Sequence, residues 1–140
     1  MSDPAARYAP PESPASAPFR AATREQRLVL QWCRSCQRPI HFPREACPTC
    51  LGDDLEFRPA SGRGTVYAAS TMPKPGHPTM AGREPYVVAL IELEEGVRLM
   101  SNVVGTSPES VVVGLPVTVV WEPLADGRHL PQFEPVPADT

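Results

Sequence analysis

The 140-residue chain contains no apolar run approaching the roughly 20 residues needed to cross a bilayer. Its first 18 residues lack the apolar core of a signal peptide. The expectation is a soluble cytoplasmic protein with no membrane partner. An excess of basic charge is also missing, because 13 Lys and Arg against 16 Asp and Glu give a net charge of -3. Aromatic residues make up only 6%. Proteins that track phosphate backbones carry the opposite charge balance and need stacking rings, so nucleic acid is disfavoured as a partner. There is no GxSxG, no GxGxxG and no P-loop. Asp53 and Asp54 are adjacent, Glu94 and Glu95 share a turn, and His77 and His129 fall in expected loops. No acid-base constellation emerges, and the chain is not expected to be an enzyme by itself.

What is abundant is proline, with 19 residues, which disfavours helix interiors and central strands and points to short strands and extended loops. Residues 1–18 hold five of these prolines among alanines and serines, and read as a disordered tail with nothing to bury. Phe19 to Gln26 is expected to form a short helical turn, with Thr23 and Gln26 at the spacing of a capping box. From Leu28 the pattern alternates into Cys33, as a strand does. Further strands are expected at 65–71, 86–93, 97–104 and 117–122, with short ones at 111–113 and 130–134. Glu94-Glu95-Gly96 and Asp126-Gly127 supply turns. Five principal strands without intervening helices favour closure into a small OB-like barrel, because closure removes exposed edges. A small sandwich is the fallback. The expected fold is therefore mainly β, with a tail at 1–18, a short helix and metal ribbon at 19–58, and a barrel at 59–140.

Cys33-Arg34-Ser35-Cys36 and Cys47-Pro48-Thr49-Cys50 form two CxxC pairs separated by ten residues. Each loop can aim two thiolates at one point, and two loops complete a tetrahedron. Thiolates select zinc or iron over harder cations. Four thiolates leave no open coordination position, so such a zinc would be structural. Iron ranks lower, since no second redox centre accompanies the site. His41 lies between the pairs, but four cysteines already suffice and it reads as a packing or surface residue.

The order of these elements resembles the family of OB-fold proteins with a rubredoxin-like zinc ribbon, long catalogued as a domain of unknown function. The resemblance spans roughly residues 19 to 135. It rests on the four cysteines, on Gly62-Arg63-Gly64-Thr65-Val66, on the hairpin from Pro85 to Leu99, and on Gly114-Leu115-Pro116-Val117-Thr118-Val119 with Pro131-Gln132-Phe133. One departure is Gln37 after the second cysteine, where the family commonly has glycine; another is the Pro-rich loop from Met72 to Gly82.

The resemblance implies a non-catalytic partner of a thiolase-fold enzyme: a thiolase, a hydroxymethylglutaryl-CoA synthase or a retro-aldolase of steroid side-chain degradation. The small protein would help form the acyl-CoA channel and share that ligand with its partner. Arg63, Lys74 and Arg83, which flank the first barrel strand and the Pro-rich loop, are the candidates for the CoA phosphates. Phe19 and Phe42 are the candidate apolar anchors for the partner, while Trp32 is expected to pack around the ribbon. Two alternatives remain open: a single-stranded nucleic-acid module using Tyr67, Tyr86 and Trp121, and a stand-alone acyl-CoA-binding protein.

Overall fold

The computed structural model describes residues 7–137. The N-terminal part is a three-stranded antiparallel sheet in the order β2-β1-β3, with β1 at Val29–Cys33, β2 at Arg38–Ile40 and β3 at Leu55–Pro59. The rest is a closed five-stranded barrel. Its strands are β4 (Arg63–Met72), β5 (Tyr86–Leu93), β6 (Arg98–Val103), β7 (Pro116–Pro123) and β8 (His129–Pro135), joined in the order β4-β5-β6-β8-β7. All barrel pairings are antiparallel except β6 with β8, which meet in parallel at Val103 and Phe133.

Alternation explains the barrel. In β5 the residues Val87, Ala89, Ile91 and Leu93 are buried and their neighbours half-buried, because successive side chains point to opposite faces. Gly96 carries the positive φ (103°) that lets β5 turn back into β6. Val111 to Val113, expected as a short strand, is instead a loop following the 3-10 turn Pro108–Ser110. Its β-branched residues favour extension, but ladder bonding to Val66 begins only with Gly114 and Leu115, which leaves Val113 73% exposed.

The helix α1 spans Ala17–Thr23 and starts two residues before the expected turn, with Pro18 in its first turn, where the missing N–H costs nothing. Thr23 therefore closes the helix rather than capping a start. Its hydroxyl donates to the Arg20 carbonyl (2.6 Å) and accepts from the His129 backbone N–H (3.2 Å). Residues 7–16, expected as part of a disordered tail, lie against the barrel through polar bonds. Arg7 donates to Glu122 and Asn102, Arg128 donates to the Pro10 carbonyl, and the Tyr8 N–H donates to Thr79. Counting apolar residues does not detect such anchors. Residues 1–6 of the expected tail lie outside the described residues.

Ribbon and barrel share one core. Phe19 and Ala22 of α1 and Leu28, Val29 and Leu30 of the ribbon pack in the same cluster as Val66, Val87, Ile91, Leu99, Val117 and Phe133 of the barrel. Each large apolar side chain buried there contributes roughly 1.5–3 kcal/mol. A second, smaller cluster of Cys33, Ile40 and Cys47, with Cys36 and Leu55 against it, surrounds the thiols.

Candidate functional site

The two CxxC loops close on each other at one end of the ribbon. Cys33 ends β1, and Cys36 lies in the turn into β2; Cys47 and Cys50 lie in the loop before β3. The four sulfurs lie within 4.8 Å of one another. Cys33 Sγ and Cys50 Sγ are 3.7 Å apart, and Cys36 Sγ and Cys47 Sγ 3.9 Å. A tetrahedron of metal–sulfur bonds of about 2.3 Å has edges of about 3.8 Å, so the donor set has the size a four-coordinate thiophilic ion requires. These separations are far too long for disulfides, whose bond is about 2.05 Å.

Each loop repeats the same local device. The Cys36 N–H points at Cys33 Sγ (3.4 Å) and the Thr49 N–H at Cys47 Sγ (3.3 Å). The residue after each pair adopts a left-handed conformation, Gln37 at φ 54° and Leu51 at φ 63°. Their N–H groups then reach back to the carbonyls of Cys33 and Cys47, both at 2.8 Å. Backbone N–H donation from Cys50 and Thr49, working against burial, draws the Cys47 thiol down to about 6. Without a cation the hydrogen bond to Cys50, together with burial, pushes the Cys36 thiol up to about 12. A cation is what allows all four to ionise together. Cys33 and Cys47 are buried while Cys50 is exposed, so the site is sealed on its core side and open to water on the other. His41 is not in this cluster; its ring lies 5.6 Å from Phe19, against α1.

A cleft of about 460 Å³ lies where the N-terminal segment, α1, the ribbon loop and the barrel wall meet. Phe42 and Leu99 contribute apolar surface, and Arg7, Arg20 and Arg98 are among its lining residues. The Arg20 guanidinium sits over the rings of Phe19 (5.4 Å) and Phe42 (5.2 Å). Burial and the nearby Arg128 lower its pKa. Burial, with help from Arg20, also draws His41 down to about 4, so its ring is neutral at pH 7.

The structure separates the three residues expected to meet CoA phosphates. Arg63 pairs with Glu94 (3.1 Å) and lines a different cavity. Arg83 pairs with Glu122 (2.7 Å) and lines a third. Lys74 lies in the loop after β4 and lines none of these three cavities. Of the two expected anchors, Phe42 is 39% exposed and available to a partner, whereas Phe19 is only 2% exposed. Phe19 is core, because α1 turns it inward between the ribbon and the barrel. Trp32, expected to pack around the ribbon, lies against the core that ribbon and barrel share, with Arg58 over its ring at 4.7 Å. The arginines of the cleft were not recognisable beforehand: they come from the N-terminal segment, α1 and β6, and no local motif joins them.

Among the described residues no helix is long and apolar enough to cross a membrane. Comparison with known proteins finds two family models laid end to end on the chain. "ChsH2, rubredoxin-like zinc ribbon domain" matches residues 20–56, and "ChsH2, C-terminal OB-fold domain" matches residues 57–122. A "Probable enoyl-CoA hydratase alpha subunit" of Thermomonospora curvata is 40% identical over 81% of this chain and 35% of its own length. The chain thus spans about a third of that relative. A "DUF35 domain-containing scaffold protein" of Methanocaldococcus jannaschii is 37% identical over 67% of both chains. Among solved structures, a chain of the "Ltp2-ChsH2(DUF35) aldolase" superposes with a TM-score of 0.82 at 38% identity, covering 91% of this chain and 98% of that one.

Proposed function

The chain belongs to the ChsH2 family of DUF35 proteins, a rubredoxin-like zinc ribbon followed by an OB-fold domain, and from that membership we propose that it is a non-catalytic accessory subunit of a thiolase-fold enzyme acting on acyl-CoA. One observation carries this reading: the chain corresponds over almost its whole length to the DUF35 chain of an aldolase assembly, at 38% identity. The site chemistry agrees. Four thiols closing a tetrahedron give a metal no position for substrate, so the ion holds structure and the partner supplies the nucleophile and the proton transfers. The ion is zinc, held by Cys33, Cys36, Cys47 and Cys50; iron is the second choice for the same ligands. The reading also puts the protein in the reducing cytoplasm, where thiols persist as metal ligands rather than disulfides. Phe42 supplies an apolar anchor for the partner.

The test is to tag the chain at its C-terminus, purify it gently from its native host and identify what co-purifies by mass spectrometry. A thiolase-fold enzyme recovered in near-stoichiometric amount, whose thioester activity rises when the purified chain is added back, supports the proposal. Recovery of nucleic-acid machinery instead, or an enzyme indifferent to the chain, defeats it.

A further inference from the structure

In a chain of net charge -3, the cleft between α1, the ribbon loop and the barrel presents three guanidinium groups and no carboxylate in its lining. Two of the three are already engaged. Arg7 donates to Glu122 and Asn102, and Arg98 stacks on Tyr67 at 3.7 Å with Glu92 at 3.9 Å. Arg20 differs. Among the described residues its Nε is buried without a hydrogen-bond partner, the rings of Phe19 and Phe42 lie against its guanidinium, and Arg128 and Glu12 are the charges that act on it. The nearby Nδ1 of His41 is also buried and unbonded. A half-buried guanidinium whose Nε makes no hydrogen bond is under-satisfied, and an anion arriving in front of it supplies paired, charge-assisted hydrogen bonds. Phe42, Leu99 and Met100 add apolar surface beside it. The volume, about 460 Å³, falls in the range of small-molecule sites.

We propose that this cleft binds a small amphiphilic anion, a phosphate or carboxylate head on an apolar body, with Arg20 meeting the head. The inference does not depend on the accessory-subunit reading, because it concerns the isolated chain.

Calorimetric titration of the full, metal-loaded chain tests it, with decyl phosphate, decanoate and decanol as probes, all below their aggregation limits. The expected result is saturable one-site binding of at least one of the two anions, about ten-fold or more tighter than decanol. The tighter anion names the head group. Arg20→Gln should remove that margin, while Arg27→Gln, at an exposed position paired with Glu25, should leave it unchanged. Should Arg20→Gln unfold the chain, Met100→Asp answers the same question. Met100 is 73% exposed and lines the cleft, so a carboxylate there should weaken anion binding several-fold with the melting temperature unchanged. Absence of saturable binding, equal binding of decanol, or indifference to both Arg20→Gln and Met100→Asp overturns the proposal. A hexaglutamate peptide binding as tightly as the better anion also overturns it, and assigns the surface to an acidic segment of a protein.

Discussion

Gly64 and the Glu92 carbonyl approach so closely that a methyl group on the Gly64 α-carbon would lie 2.4 Å from that oxygen. The obstruction is backbone on a paired strand, since Gly64 faces Leu93 and Thr65 faces Glu92 in the β4–β5 ladder. Gly62, two residues earlier, has φ 79°, and a methyl there would meet Val119 at 2.6 Å. The Gly-x-Gly motif is thus one left-handed entry followed by one close approach. Gly64→Ala is expected to cost about 3 kcal/mol, at the upper end for overpacking, because a ladder cannot yield as a flexible side chain can. Urea unfolding measures this, and a loss under about 1 kcal/mol would refute the argument.

Removing the metal should unfold more than the ribbon. Trp32 reports on β1 and Trp121 on β7, and both pack against the shared core. With one ion per chain at the start, chelator titration is expected to change both tryptophan environments in a single step, followed separately in Trp32→Phe and Trp121→Phe variants. A Trp121 signal that survives loss of the metal would show that the barrel stands alone. Cys47→Ala, which removes a buried ligand, should behave like the chelated protein.

Leu51 holds φ 63° while 78% exposed, so it pays for a left-handed backbone with no burial in return. Leu51→Gly should raise the stability of the metal-bound protein by about 0.5–1 kcal/mol, the left-handed strain relieved less the entropy that glycine adds to the unfolded chain. Denaturant midpoints at saturating metal give the comparison, and a lower midpoint counts against the reasoning. Gln37 holds the same left-handed geometry, at φ 54°.

Acid should weaken the fold partly through Asp126. Its hydrogen bonds from the Arg128 side chain and backbone N–H hold its carboxyl below the usual range. A depressed carboxylate contributes stability above its unfolded pKa, about 3.9, and loses that contribution as pH falls through the folded value. The stability gap between the native protein and Asp126→Asn should therefore be present at neutral pH and close below about pH 4. Thiol protonation affects both proteins alike, so the difference between them isolates Asp126. A gap that widens in acid would invert the assignment.

Much of the architecture was legible because it repeats locally. The apolar run Tyr86–Leu93 and the Glu94-Glu95-Gly96 turn marked β5 and its hairpin partner β6, and paired cysteines at CxxC spacing marked the ligands, since both signals lie within a few residues. Val111 to Val113 misled because β-propensity does not reveal whether a ladder neighbour exists. Thr23 misled because a Thr-x-x-Gln pair states no direction; only the contact with His129 places it at the helix end. The cleft was invisible because Arg7, Arg20 and Arg98 meet only after β6 and α1 have docked.

The single core joining ribbon to barrel bears on how such proteins change over evolutionary time. Leu30 is 1% exposed and belongs to both halves, so a ribbon transplanted from a relative brings an inner face shaped for a different barrel. Recombination at the short link from β3 to β4, between Pro59 and Arg63, looks harmless on the surface yet severs matched packing. The heritable unit is the pair, and chimaeras should inherit function only when the inner face of β1 travels with the barrel it fits.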